Sequence, residues 1–203
     1  MVYYFNEGGA FMWPILISLI IGLMISLERF ISLTRAGVNT RKFLAKVKDE
    51  LKSGGVEGAL DVCSSTRGPV ASIFHAGLMR ADRGVDHVEK AITNAGSIEM
   101  AFLERGMIWL ATVISVAPMM GFTGTVVGMI AAFDAIKAAN DISPSIVAGG
   151  ISQALLTTAG GLIVAMIIQV LHNYFISKID KLIIDMEESS TELVDTLIEL
   201  EKK

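Results

Sequence analysis

Three long stretches of this chain, 8–27, 106–133 and 142–177, hold no Asp, Glu, Lys or Arg. About 20 consecutive apolar residues suffice for a helix to cross a bilayer. Inside lipid every backbone N–H and C=O must be bonded within its own segment, which leaves the helix as the simplest element. The expected fold is therefore an all-α integral membrane protein with three transmembrane helices. Spans two and three are long and extend into a helical domain outside the membrane. A composition of 52% hydrophobic residues and a mean hydropathy of +0.57 agree with this.

The chain divides by this pattern. Residues 1–33 hold an outer N-terminus and the first span, opened by Trp13-Pro14, where Trp suits the interface and Pro a first helical turn. Its first eleven residues lack Lys and Arg, so a retained helix is expected rather than a secretory leader. Residues 34–105 form a polar domain of short helices. Arg41 to Lys52 is amphipathic, with Phe43, Leu44, Val47 and Leu51 on one side, and Ser53-Gly54-Gly55 stops it. Val56 to Cys63 is a second helix, and Pro69 opens a third that reaches Arg80. Asp86 with Glu89 resembles a capping box. Apolar spacing from Val88 to Phe102 then predicts one helix over 86–136, roughly 75 Å at 1.5 Å per residue. The second span occupies 106–136, an outer turn 137–145 and the third span 146–176. Over 177–203, Ile176, Ile179, Ile183, Met186, Ser190, Leu193, Leu197 and Leu200 alternate steps of three and four, a heptad seam for packing on other helices.

The spans carry unusual residues for a lipid-facing anchor. Pro118, Gly121, Thr125 and Gly128 share one face of the second, and Gly150, Ala154, Thr158, Gly161 and Ala165 share one face of the third. Gln153 and Thr157 neighbour that second stripe. Small residues let helices approach closely in lipid. Two readings follow: a tight helix–helix seam, or a pore wall whose hydroxyls meet water or a partner group.

Charge orients the chain. Residues 29–105 hold twelve basic residues, and Lys178, Lys181, Lys202 and Lys203 lie in the tail. The positive-inside rule puts the N-terminus outside and the 34–105 domain and the tail in the cytoplasm. Glu28, Arg29, Glu104 and Arg105 mark the charged boundary of the membrane.

Several function classes drop out. Net charge is −4, and no nucleic-acid motif is present. Cys63 stands alone, and His75, His87 and His172 lack ligand spacing, so no metal or cofactor is expected. No phosphate-binding loop ends in Lys-Ser or Lys-Thr, and no enzyme constellation is found. No ionisable group lies deep in a span, although proton carriers normally need one there. Thr125 and Thr158 only donate and accept hydrogen bonds. A proton-coupled role therefore needs a carboxylate from a partner.

Two segments carry a resemblance. Ala117-Pro118-Met119-Met120-Gly121-Phe122-Thr123-Gly124-Thr125-Val126-Val127-Gly128 and Ile151-Ser152-Gln153-Ala154-Leu155-Leu156-Thr157-Thr158-Ala159-Gly160-Gly161-Leu162 resemble the second- and third-span signatures of the MotA/TolQ/ExbB proton-channel family, in its three-span ExbB/TolQ branch. Met12-Trp13-Pro14 through Glu28-Arg29-Phe30 is similar to its first span, and Gly68-Pro69 with Ala76-Gly77-Leu78 to its cytoplasmic region. The resemblance implies a bacterial inner-membrane motor subunit. It implies a ring of five around an ExbD- or TolR-like one-span dimer whose intramembrane Asp gains and loses a proton. It also implies coupling to a TonB- or TolA-like protein. Thr125 and Thr158 match the family's pore threonines. Pro118, Gly121, Gly128, Gln153, Ala154, Thr157 and Gly161 go with them as the expected pore lining. Gln153 departs from the Glu that many ExbB relatives carry, and an amide relays no proton by its own ionisation.

Overall fold

In a computed structural model, residues 2–37, 39–139 and 144–201 are described, with the side chains of all but 2, 139, 144–146 and 201. The described residues form helices α1 (Val2–Glu7), α2 (Met12–Ala36), α3 (Thr40–Ser53), α4 (Gly55–Ser65), α5 (Pro69–Leu78), α6 (Val85–Glu104), α7 (Met107–Ala139) and α8 (Pro144–Glu201), with a 3-10 turn at Ala81–Arg83. Three of these are long and apolar enough to cross a membrane. The chain is an all-α, multi-pass membrane protein. The expected 140–143 part of the outer turn lies outside the described residues, as do Lys202 and Lys203.

The helices cluster into two units, Met1–Glu28 with Gly106–Tyr174, and Arg29–Arg105 with Phe175–Lys203. In the first, α2, α7 and α8 turn large apolar side chains outward: Met24, Leu27, Ile108, Trp109, Phe122, Leu155 and Val170 are all mostly exposed. A patch that size on a water-soluble surface would be an interaction site; here it suits lipid. Pro14 sits in the first turn of α2, as its missing N–H allows. Trp13 stands edge-to-face against Phe5, with ring centroids 5.3 Å apart.

The second unit has the opposite sidedness. Phe43, Leu44, Val47 and Leu51 of α3 are buried as their spacing predicts, and Phe43 meets Phe74 of α5 at 5.5 Å between centroids. Asn39 caps α3, its side-chain oxygen accepting from the Lys42 N–H at 3.2 Å. Helices α5 and α6 cross closely at Gly77, where a Cβ would sit 2.7 Å from Ile92 Cγ1.

Three expectations are corrected. Residues 86–136 are not one helix: Gly106, at φ +85°, interrupts the ladder between α6 and α7. Apolar spacing runs through such a break unchanged, because one left-handed residue leaves the pattern on either side intact. No Asp86 capping box forms; Gly84 is the N-cap of α6, without a side-chain bond. The tail seam is shifted in part. Ile179, Met186, Leu193 and Leu197 are buried as expected, but the buried line also takes Phe175, Leu182, Ser189 and Thr196, where Ile176 is exposed and Ile183, Ser190 and Leu200 are half-buried. Ser189 and Thr196 enter that line by donating to the Asp185 and Glu192 carbonyls at 2.6 and 2.7 Å.

Candidate functional site: a hydroxyl pair between two spans

The line of α7 that meets α8 is Ala117, Gly121, Gly124, Gly128 and Ala132, all buried. Facing it are Ala154, Thr157 and Gly161, also buried. Contact is at backbone level. A Cβ on Gly121 would lie 2.8 Å from the Thr157 carbonyl oxygen, and one on Gly124 would lie 2.7 Å from Thr157 Oγ1. Gly161 likewise abuts the Ala117 carbonyl, and Gly150 abuts Ala132. The small residues thus form a seam inside this chain's own hairpin.

That seam keeps Gly121, Gly128, Ala154 and Gly161 of the stripes picked out in the sequence and differs from them by one residue at other positions, Ala117 for Pro118, Gly124 for Thr125 and Thr157 for Thr158. Gly124 and Thr157 occupy its centre, and Thr125 and Thr158 flank it, half-buried. Both flanking hydroxyls point across the helix pair and hydrogen-bond each other. Thr125 also lies 3.1 Å from the Ala154 carbonyl and 3.3 Å from that of Gly121, and Thr158 lies 3.3 Å from the same Gly121 carbonyl. Two hydroxyls hold two protons. One proton bridges the pair and the other goes to a carbonyl, so either threonine serves as donor. Lone pairs remain on both oxygens for a water or a visiting group.

Other expected site residues scatter. Thr157 is 1% exposed and donates to the Ala154 carbonyl at 2.8 Å, so its hydroxyl is spent inside the chain. The amide of Gln153 lies against Gly9, at the positive-φ turn before α2, and not beside the hydroxyl pair. Pro118 sits within α7, half-buried, and removes one intrahelical N–H there. Glu28, Glu104 and Arg105 are exposed, whereas Arg29 is only 5% exposed. Arg29 continues the buried line of α2 through Ile15, Ser18, Gly22, Ser26 and Leu33, a signal present in its spacing. The sequence reading missed Ala117, Gly124 and Ala132. Their steps of seven and eight residues carry the same periodicity as the stripe chosen beside them.

A family model described as the MotA/TolQ/ExbB proton channel family matches residues 65–188, a stretch that holds both signatures and both threonines. The chain belongs to that family, in its ExbB/TolQ branch. It is 34% identical over 177 residues to a biopolymer transport protein ExbB homolog of Methanothermobacter thermautotrophicus, covering 87% of this chain and 63% of that protein. It is 38% identical over 99 residues to the biopolymer transport protein ExbB of Xanthomonas campestris pv. campestris, covering 49% of this chain and 39% of the relative. A Tol-Pal system protein TolQ of Haemophilus influenzae is 42% identical over 77 residues, 38% of this chain and 34% of that one. The matched part spans less than two thirds of each of these relatives.

Proposed function

We propose that this chain is the ring-forming subunit of a proton-driven motor in the bacterial cytoplasmic membrane. Five copies surround an ExbD- or TolR-like one-span partner, and the proton motive force does work on a TonB- or TolA-like protein. That work serves outer-membrane transport or envelope maintenance. The N-terminus faces the periplasm, and the 34–105 domain and the tail face the cytoplasm. The chain catalyses no covalent chemistry of its own.

The observation that carries this reading is the half-buried hydroxyl pair Thr125–Thr158 in a hairpin that holds no Asp, Glu, Lys or Arg over 106–133 and 142–177, one proton of the pair being bonded only to a backbone carbonyl. A partner carboxylate in its charged form only accepts hydrogen bonds, and it would draw the one hydroxyl proton of the pair otherwise given to a backbone carbonyl; once protonated it can donate to a free lone pair or pass apolar wall at lower cost. Alternation between the two states gives a cycle without an ionisable group in this chain. One elementary charge crossing 100 mV releases about 2.3 kcal/mol, enough to bias a step between near-equivalent positions.

The test is Thr158→Val in the complex with its partner, reconstituted in vesicles. Proton flux is expected to fall by at least about tenfold with assembly intact, since one lost charge-assisted hydrogen bond is worth roughly that factor. Unchanged flux would remove the pair from the mechanism. A second reading, a structural scaffold without conduction, draws support from the glycines, which are used up in this chain's own hairpin. It expects no proton flux in the wild-type complex either.

A further inference from the structure

A second constellation lies outside the hairpin. A 30 Å hydrocarbon core takes about 20 helical residues. Charge ends the first span at Glu28-Arg29 and α2 runs on to Ala36, so Ser32 and Arg35 lie within about 10 Å of that boundary, in the headgroup layer. There they line a cleft of about 630 Å³ with Arg67, Ser72, His75 and Glu99. Arg35 comes from the last turn of α2, Arg67 from the turn between α4 and α5, and Glu99 from α6. Among the described residues neither arginine has an ion-pair partner, and Glu99 pairs with neither. Among the described residues the hydroxyls of Ser32 and Ser72 have no protein partner either.

The start of α5 opens into the same cleft. Gly68, at φ +134°, is its N-cap and offers no side-chain acceptor, and Pro69 brings no N–H. The first N–H to find a helical partner is that of Ser72, on the Gly68 carbonyl at 3.2 Å. Unbonded amides at a helix start favour an anion. Here they adjoin two guanidinium groups from separate segments, neither in an ion pair and together outweighing the one carboxylate of the cleft, and their fork geometry matches a phosphate. Phe102, exposed, and Leu103 supply an apolar edge to the cleft.

We propose that this cleft binds the phosphodiester headgroup of a membrane phospholipid. Arg35 and Arg67 hold the phosphate, with the α5 amides as further donors. Glu99 faces the ammonium of an amine-bearing headgroup, and its charge works against a free phosphate dianion. Basic pockets at the polar ends of spans are suited to lipid headgroups in this way. The inference needs only that the chain crosses a membrane and is independent of proton conduction.

The experiment is native mass spectrometry of the full chain after delipidation, titrated with phosphatidylethanolamine, phosphatidylglycerol or inorganic phosphate. Wild type is expected to retain phospholipid. Arg35→Gln and Arg67→Gln are each expected to weaken retention about tenfold, the factor for one charge-assisted hydrogen bond. Glu99→Gln is expected to reduce the preference for phosphatidylethanolamine over phosphatidylglycerol. Equal retention in wild type and the arginine variants would overturn the proposal. So would inorganic phosphate that displaces the bound lipid as well as fresh lipid does, which would make the cleft a free-anion site. Arg67→Gln alone decides the matter should the Arg35 variant fail to fold, because Arg67 is exposed in a turn. Proton flux measured in parallel separates the two readings: lipid lost with flux kept, or the reverse, sinks only one of them.

Discussion

The two units of this chain are both bundles of helices, yet they cohere by opposite means. In the 29–105 and 175–203 unit, large side chains fill the middle: Phe74, Leu78, Val47 and Leu193 are at most 1% exposed. In the hairpin unit the close contact between α7 and α8 is made of Gly, Ala and Thr, and most large side chains face outward, with Ile15, Leu110 and Ile168 the main ones buried. Water explains the difference. Burying Phe or Leu from water is worth roughly 1.5–3 kcal/mol each, so a wetted unit gathers them inside. Lipid offers no such gain, so spans adhere by close backbone contact and by hydrogen bonds between them.

The sharpest way to break this contrast is to truncate one phenylalanine in each unit. Phe74→Ala is expected to cost about 3–5 kcal/mol of stability. Phe122→Ala, on a residue 67% exposed, should cost less than about 0.5 kcal/mol for the isolated chain. Thermal unfolding in detergent, followed by circular dichroism, reads both. Similar losses would mean that the hairpin has a conventional core.

Next in size is Gly121→Val, which drives a side chain into the Thr157 carbonyl. Overpacking of this kind is expected to cost about 1–3 kcal/mol, or more where backbone has to move. Full stability would show that the two helices are not in backbone contact at that level. Thr158→Val keeps the shape and removes one interhelical hydroxyl. Its expected stability loss is about 0.6–1.7 kcal/mol, the range for hydrogen bonds between spans. A larger loss would make the pair structural first and functional second.

Cys63 gives the mildest test, and on the wetted side. Burial pushes its thiol from 9.0 up to about 11. The unfolded thiol ionises first as pH rises, so this contribution to stability is whole below pH 9 and fades between 9 and about 11. Maleimide labelling of the folded chain should be slow at pH 8 and accelerate only towards the upper end of that window. Fast labelling at pH 8 would place Cys63 at the surface.

Much of the fold is legible from residues alone. Absence of charge marks the spans, and Gly54, Pro69 and Gly84 punctuate the short helices where side chains cannot. Rotation about a helix axis is harder to read. Both the α7–α8 seam and the tail seam share about every other residue with the pattern that stands out in the sequence and take the neighbour of the rest. A stripe of small residues names a face only to within about 100°, the angle between neighbours on a helix. Which of two adjacent small residues touches backbone depends on the partner helix. Gly124 wins over Thr125 because it alone lets the Thr157 side chain in. The contact of Gln153 with Gly9 joins residues far apart in sequence and left no local trace. The two threonines stand out in the sequence because each lies in a segment that resembles a family signature, and both segments fall within the matched stretch 65–188.

The hydroxyl pair has one further consequence. Its two halves are the same functional group, and each has a carbonyl within reach, so giver and taker can exchange. Such an element has no arrow of its own: it passes a load equally well forwards and backwards. A machine built on it owes its sense of travel to asymmetry elsewhere, in the electrochemical gradient or in the shape of what stands at its axis. For the motor proposed here, reversing the gradient is then expected to reverse the motion, with the same two threonines serving both ways.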